Sequence, residues 1–329
     1  MTPLIKPLPG SFEQITEAIV GRKVTNEFTV VSLFSGCGGL DLGFLGGFQV
    51  FGQTYDRLPF HVTWANDINP AACKTYRHNL KEPIHCGDMR DLFDTMPKRA
   101  DVVIGGFPCT DVSVNGKGDG IDGESTSLYR EMVKVIARCK PKIFVAENVK
   151  GLLSNEAALN QVLGDFASPG YKVSHHLYLA ADYGVPQMRE RVFIVGTLPG
   201  VRAFRPPLPV TPKGAWLTAK EAIGDLEGMD EIEATNHVWS KAAPSPEQGM
   251  RKLKAERPST TMRAEHHGNV QFHYSLPRRL SIRETARLQS FPDNFLFSKA
   301  MRETERQVGN AVPPVLAWHI AKAVRDCLI

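Results

Sequence analysis

The stretch DVVIGGFPCTDVS, Asp101–Ser113, sets an unbroken apolar run, Val102–Ile104, directly before two glycines, a phenylalanine, a proline and a cysteine. Apolar and polar residues do not alternate in it. It therefore reads as a strand buried on both faces, the kind found in parallel sheets covered by helices. Such sheets bind ligands at the carboxyl ends of their strands. Cys109 falls there, on a turn stiffened by Gly106 and Pro108. Its thiol is either a candidate nucleophile or a small core residue, since cysteine is among the most buried residue types.

On either side the chain repeats the same grammar. Thr29–Leu33 is a β-branched strand running into Phe34-Ser35-Gly36-Cys37-Gly38-Gly39-Leu40. Glycines at a strand-to-helix turn let the backbone approach a ligand and offer it free N–H groups. Val62–Asn66 is a second strand ending in Asp67, and Ile84–Gly87 leads to Asp88. An acid at a strand end suits a ribose diol. The three strand ends together suggest one nucleoside-sized pocket. The phosphate-binding pattern G-x-x-x-x-G-K-[ST] is absent, which argues against ATP or GTP. Downstream, Leu128–Arg138 reads as a helix, Lys142–Ala146 as a buried strand ending in Glu147-Asn148, and Glu156–Phe166 as a helix. Tyr171–Ala180 and Arg191–Gly196 are further strands, the latter preceded by QMRER, residues 187–191. Strands alternating with helices predict an α/β fold with a doubly wound, mostly parallel sheet.

The composition bounds the rest. With 329 residues, 42% of them hydrophobic, the chain can build one large α/β domain and a smaller one. A net charge of +4 permits nucleic-acid binding without demanding it. Cysteines stand at 37, 73, 86, 109, 139 and 327 with no CxxC pair, so no metal site or redox motif is expected. No signal-peptide pattern and no apolar run approaching about 20 residues appears, so a cytoplasmic location without a membrane span is expected. Before Thr29, Ser11–Gln14 resembles a capping box opening a terminal helix. Thr110–Ser127 is polar and glycine-rich and reads as a mobile loop beside Cys109. Residues 45–59 look like an insertion that decorates the surface. Pro199–Pro212 holds five prolines, a linker composition, and residues 241–263 carry six Lys or Arg against two acids. The expected division is a catalytic and cofactor-binding domain, 1–198, a small domain, 199–277, and a return segment, 278–329, whose last helix packs on the first domain. Ser281-Ile282-Arg283-Glu284 is a capping box opening a helix through Leu288.

Six segments in order carry a resemblance: FSGCGGLDLGF (34–44), GGFPC (105–109), ENVKG (147–151), QMRER (187–191), RRLSIRETARLQSFPDNF (278–295) and QVGNAVPP (307–314). From about Thr29 to its end the chain resembles the bacterial DNA (cytosine-5)-methyltransferases of restriction–modification systems. The resemblance implies the Rossmann-like fold of S-adenosylmethionine-dependent methyltransferases with a second, smaller DNA-recognition domain. It also implies methyl transfer to carbon 5 of a flipped-out cytosine in a specific duplex sequence, through a covalent cysteine adduct.

By that resemblance Cys109 is the nucleophile, its thiolate being the reactive form. Glu147 would hold the N3 and amine edge of cytosine, Asn148 would position the loop or base, and Arg189 and Arg191 would contact the base carbonyl, the DNA backbone or both. S-adenosylmethionine would be lined by Phe34, Ser35, Gly36, Gly38, Gly39 and Leu40. Asp67 would meet its ribose and Asp88 its adenine amine, with Met89, Phe107, Pro108, Leu128, Asn310, Ala311 and Val312 completing the wall. Ser113, in a loop closing over the extruded base, would face DNA, as would Arg257 and Arg263; His237, His266 and His267 are open between DNA contact and surface roles. A monomer is expected, with a cognate restriction endonuclease acting separately. One branch of the family modifies tRNA; a separate basic module flanked by prolines favours duplex DNA, because sequence readout needs one. Thr110 stands where the family usually has glutamine, and Asp67 where it often has glutamate.

Overall fold

The computed structural model describes residues 27–108, 127–241, 251–264, 271–297 and 301–329. The helix expected after Ser11, the segment carrying Cys109, Thr110 and Ser113, and His266-His267 lie outside the described residues.

The chain enters at β1 (Phe28–Leu33), turns into α1 (Gly39–Leu45), makes a hairpin of β2 (Phe48–Val50) and β3 (Gln53–Tyr55), and returns as β4 (Phe60–Asp67). There follow α2 (Pro70–Leu80), β5 (His85–Cys86), β6 (Val102–Gly106), α3 (Ser127–Cys139), β7 (Ile143–Val149), α4 (Glu156–Ala167) and β8 (Lys172–Leu179). After β9 (Gln187–Met188) and β10 (Glu190–Thr197) come α5 (Ala219–Ile223), β11 (Arg251–Lys252), β12 (Ser259–Thr260) and β13 (Gln271–Phe272). The chain closes with α6 (Ile282–Leu288), α7 (Met301–Asn310) and α8 (Pro314–Leu328).

The largest sheet has the order β5-β4-β1-β6-β7-β10-β8. Each pair from β5 to β7 is parallel, and β10 runs antiparallel to β7 and β8. This is the mostly parallel, doubly wound α/β sheet that the alternating pattern predicts. Winding proceeds from β1 outward to β4 and β5, then jumps back to β6 and β7, so it reverses between β1 and β6. Ligands of open α/β sheets bind in the crevice at such a reversal. The missing alternation also has its cause. Val30, Val102, Ile104 and Val145 pack on one side with α1 and α8, while Val31, Leu33, Val103 and Phe144 pack on the other with α3 and α4.

Strand β7 runs three residues beyond its apolar run, so Glu147 and Asn148 are strand residues paired with Phe193 and Val192 of β10. Residues 45–59 are not surface decoration. Phe48, Val50, Tyr55 and Leu58 are buried in the main core, and Phe48 stacks on Tyr55 at 5.0 Å. Tyr55 meets Trp318 of α8 edge-on at 5.3 Å, and Trp318 Nε1 donates to the Asp56 carbonyl at 2.9 Å. Each such buried side chain contributes about 1.5–3 kcal/mol, so the hairpin is a docking surface for the last helix. Gly43 permits that docking: a Cβ there would strike Ala317 and the Trp318 backbone.

The proline-rich stretch is strapped down rather than free: Val210 N and Thr211 N donate to the Asp182 carbonyl at 2.9 Å, and Tyr183 Oη donates to the Pro207 carbonyl at 2.8 Å. The capping box of α6 is formed, with Glu284 N donating to Ser281 Oγ at 3.0 Å and Ser281 N to Glu284 Oε2 at 2.7 Å. Gln307–Asn310 form the last turn of α7 instead of a loop before a helix. No helix among the described residues is long and apolar enough to cross a membrane.

Candidate active site

The glycine turn at the end of β1 is shaped by the end of β4. Phe34, Gly36 and Gly38 have φ of 53°, 57° and 94°, a region a phenylalanine enters only when its surroundings hold it there. Asn66 and Asp67 supply that hold. Ser35 N donates to the Asn66 carbonyl at 2.8 Å and Gly36 N to Asp67 Oδ2 at 2.8 Å, while Asn69 N donates to Asp67 Oδ1 at 2.8 Å. Burial pushes the Asp67 carboxyl above its usual pKa, against the pull of these amides. No atom lies within 4 Å of where a Cβ on Gly36 would sit, so the turn opens onto free space. At Gly39 the opposite holds: a Cβ would strike the Val312 carbonyl and lie 3.1 Å from Ala311 Cβ. The loop 311–312 therefore rests on the glycine turn, and Phe34, Gly36, Gly39, Asp67, Ala311 and Val312 share one rim.

Other expected wall residues are placed differently. The Phe107 ring is buried in the core against Tyr129 and Phe166, at 6.0 and 6.1 Å. Leu40 and Met89 likewise bury their side chains in the two cores. Ser35 Oγ is 2.8 Å from Ser32 Oγ, beneath the turn. Asp88 caps the turn Met89–Leu92, and its carboxylate accepts from Arg90 Nε at 3.0 Å and Nη2 at 2.6 Å. The Arg90 hydrogen bond holds its pKa below the usual range, and Arg90 would compete with an adenine amine for it. Leu128 is half-buried, and Pro108 and Asn310 are exposed. A residue not singled out in the sequence stands beside Asp67: Ile68 is 68% exposed at the strand end, an apolar surface of the kind that lines ligand pockets. A lone apolar residue after an acid carries no signal until the strand end is known.

The second cluster lies at the ends of β6 and β7. Register pairs Gly106 with Glu147, and a Cβ on Gly106 would lie 3.0 Å from Glu147 Oε2. Glycine thus leaves room for the carboxylate three residues before Cys109. Arg191 Nε lies 2.8 Å from Glu147 Oε1. Burial pushes the Glu147 pKa up, and Arg191 and Arg189 pull it back. A buried carboxyl held this way is a more willing proton acceptor than one in water. Asn148 Nδ2 donates to the Phe107 carbonyl at 3.1 Å, fixing the chain that leads to Cys109.

Arg189 overturns an expectation. Its side chain is 1% exposed, with Nη1 donating to the Met262 carbonyl at 2.9 Å and Nη2 to the Gly309 and Ala311 carbonyls at 2.9 and 3.0 Å. A guanidinium bound to three carbonyls in the interior clamps the fold and does not present itself to a base or a phosphate. Gln187 and Gln289, also buried, extend this clamp; both lie within the QMRER and RRLSIRETARLQSFPDNF segments, where the sequence alone gives them no role. His237 is buried as well, with Nδ1 3.0 Å from Ser281 Oγ, so it is not a surface contact. The Arg257 and Arg263 side chains are exposed.

The sequence profile of the C-5 cytosine-specific DNA methylases matches residues 28–248 and 218–326. The chain belongs to that family. The methylase is 36% identical to the Type II methyltransferase M.NgoFVII of Neisseria gonorrhoeae over 91% of this chain and 87% of that protein. It is also 36% identical to the Type II methyltransferase M.BbvI of Brevibacillus brevis, over 91% of each chain. Its fold matches that of a DNA modification methyltransferase encoded within an E. coli prophage, with a TM-score of 0.69, 22% identity, and 92% and 99% of the two chains covered. The methylase transfers a methyl group from S-adenosylmethionine to carbon 5 of cytosine in DNA. The rim fits that donor: a phosphate-free nucleoside needs an open glycine turn, a carboxylate and an apolar face, which Gly36, Asp67 and Ile68 provide.

Proposed function

We propose that this methylase is the modification enzyme of a restriction–modification system and acts through a covalent adduct of Cys109 on a cytosine turned out of a specific duplex sequence. The observation that carries the reading is the Glu147–Arg191 pair set against Gly106, three residues before Cys109. Carbon 5 of cytosine is a weak nucleophile. Addition of the Cys109 thiolate to carbon 6 forms a C–S bond and makes carbon 5 electron-rich enough to take the methyl group from the donor's sulfonium, whose S–CH3 bond would break and leave its electron pair on sulfur as a neutral thioether. Loss of the carbon 5 proton then expels the thiolate and restores the ring. Glu147 grips the N3 and amine edge as charge builds, and its raised pKa suits a shared proton there. Arg191 aligns Glu147, and Asn148 aligns the nucleophile's turn. The chemistry requires an extruded base, because carbon 6 is not accessible in the stack.

The methyl donor, when bound, supplies an electrophilic methyl group. Phe34, the Gly36–Gly39 turn, Asp67, Ile68 and Asn310–Val312 would hold it, with Asp67 orienting its ribose while it orders the turn. Domain 199–277 reads the target, with Arg257 and Arg263 as exposed contacts and Ser113 facing the DNA near Cys109. The enzyme works as a monomer in the bacterial cytoplasm, and the relatives' Type II names support a separately acting endonuclease partner.

Methylation-sensitive sequencing of DNA from cells expressing the protein tests the reading. The expected result is methylcytosine at one recurring sequence, absent in Cys109→Ser. A stable adduct with 5-fluorocytosine duplex should form with the parent and not with the variant. Label transfer to tRNA in preference to duplex DNA, or a Cys109→Ser protein as active as the parent, would overturn it.

A further inference from the structure

Between the exposed arginines and the glycine turn lies a continuous seam of buried polar groups. Strand β12 is only two residues long and pairs with β9 through Ser259–Gln187 and Thr260–Met188. Just past it, Met262 is fastened to two buried side chains. Met262 N donates to Gln187 Oε1 at 2.9 Å, and the Met262 carbonyl accepts from Arg189 Nη1 at 2.9 Å. Gln187 Nε2 in turn donates to Gln289 Oε1 and to the Leu288 carbonyl, at 2.5 and 3.0 Å. Gln289 Nε2 donates to the Ala311 carbonyl at 2.6 Å, which also accepts from Arg189 Nη2 at 3.0 Å. Ala311 and Val312 rest on Gly39 of the glycine turn. A second path runs through the backbone, since a Cβ on Gly309 would strike Arg263 and Ala264.

We propose that Gln187, Arg189 and Gln289 are positioning residues that couple DNA recognition to the methyl-donor site. This rests on the reading of domain 199–277 as the part that engages DNA. Arg257 and Arg263 bracket the segment 259–262, so DNA held by them loads that segment. Met262 cannot shift without breaking its bonds to Gln187 and Arg189 or carrying them along, because a buried unpaired polar group is costly. Both lead to the Ala311 carbonyl. A segment seated by DNA therefore seats the 309–312 loop against the glycine turn. By linkage, a donor-site ligand that orders that loop must raise DNA affinity by the same factor. The arrangement also accounts for the burial of Arg189 in a motif whose neighbouring arginine, Arg191, pairs with Glu147.

The test is a binding cycle by titration calorimetry on the full chain. S-adenosylhomocysteine is titrated alone, with a duplex carrying the sequence methylated in cells, and with a scrambled duplex. The parent should bind it several-fold more tightly with the methylated-sequence duplex than alone, a coupling in the usual range of about 5–150-fold. The scrambled duplex should give less. In Gln289→Met the ratio of the two affinities should fall toward one, whatever happens to each affinity. If that variant does not melt cooperatively, Thr261→Val answers the same question, since it removes only the outer bond of the seam, Thr261 Oγ1 to the Met188 carbonyl at 2.8 Å. It should lower the ratio at least twofold. An unchanged ratio in a folded variant, or a parent that binds both ligands without coupling, overturns the proposal and leaves the methylase reading intact. A parent that binds no duplex DNA overturns both.

Discussion

Strands β1, β4, β6 and β7 bury Val30, Val62, Val102 and Val145 to 0% exposure, whereas the region from β12 to α6 buries Arg283 and Glu284 to 1% and 0%. The large sheet is held by apolar area. The smaller part has a modest apolar cluster around Ile223, Leu253 and Leu280 and is held largely by directed polar contacts. Arg283 donates to the carbonyls of Thr235, Pro292 and Phe295 at 2.8, 3.0 and 2.9 Å. Arg278 grips Glu284 at 2.7 and 2.8 Å while its guanidinium lies 4.2 Å from the Trp239 ring centroid. Apolar packing tolerates exchange of shape, but a polar clamp fails when one atom is lost. The sheet suits the part of the reaction that is the same for every target. A clamp-built module keeps its backbone in place, as the proposed reading of DNA by its exposed side chains requires.

That contrast can be broken in several ways. On the proposed mechanism Glu147→Gln should lower turnover about 10²–10⁴-fold while thermal stability holds, since the amide keeps an acceptor for Arg191. A parallel loss of cooperative melting would mean that Glu147 belongs to the clamps. Next, Arg283→Met leaves three carbonyls without a donor and should cost about 3 kcal/mol in denaturant titration. Phe48→Ala tests the apolar half at the hairpin and should cost a comparable 3–5 kcal/mol or so, against almost nothing for a decorative loop.

An effect of similar size, confined to one pH window, is expected at Asp41. Burial pushes Asp41, whose Oδ1 accepts from Tyr76 Oη at 2.9 Å, from 3.8 up to about 6. Between those values the folded chain holds a proton that the unfolded chain has lost. The contribution of Asp41 therefore favours the fold below 3.8 and is lost as pH rises through about 6. Asp41→Asn keeps the acceptor and should flatten that decline by roughly 3 kcal/mol in urea titrations across the window. Last, Ile143→Val in the sheet should cost about 1 kcal/mol, and a much larger loss would show the sheet to be as intolerant as the clamps.

The parallel strands of the large sheet were legible to within a residue or two at most ends, because each is a short β-branched apolar run closed by glycine or an acid, and its length and flanks set it apart from a buried helix. The capping box at Ser281 was legible because its chemistry is local, complete within four residues. The glycine turn, Asp67 and Glu147 could be placed at strand ends for the same reason. What the residues by themselves determined, then, was a doubly wound sheet with a glycine turn and carboxylates at its carboxyl edge. Tertiary structure decided which polar side chains face a ligand and which close the interior. Arg189, in the link between β9 and β10, and Arg191, in β10, are two residues apart, yet one holds three carbonyls from Met262, Gly309 and Ala311 and the other holds Glu147. The hairpin at 45–59 became core when α8 arrived from more than 250 residues later to cover it. In each case the deciding partner is remote in sequence, and a polar or aromatic side chain carries no mark of which remote partner it will meet.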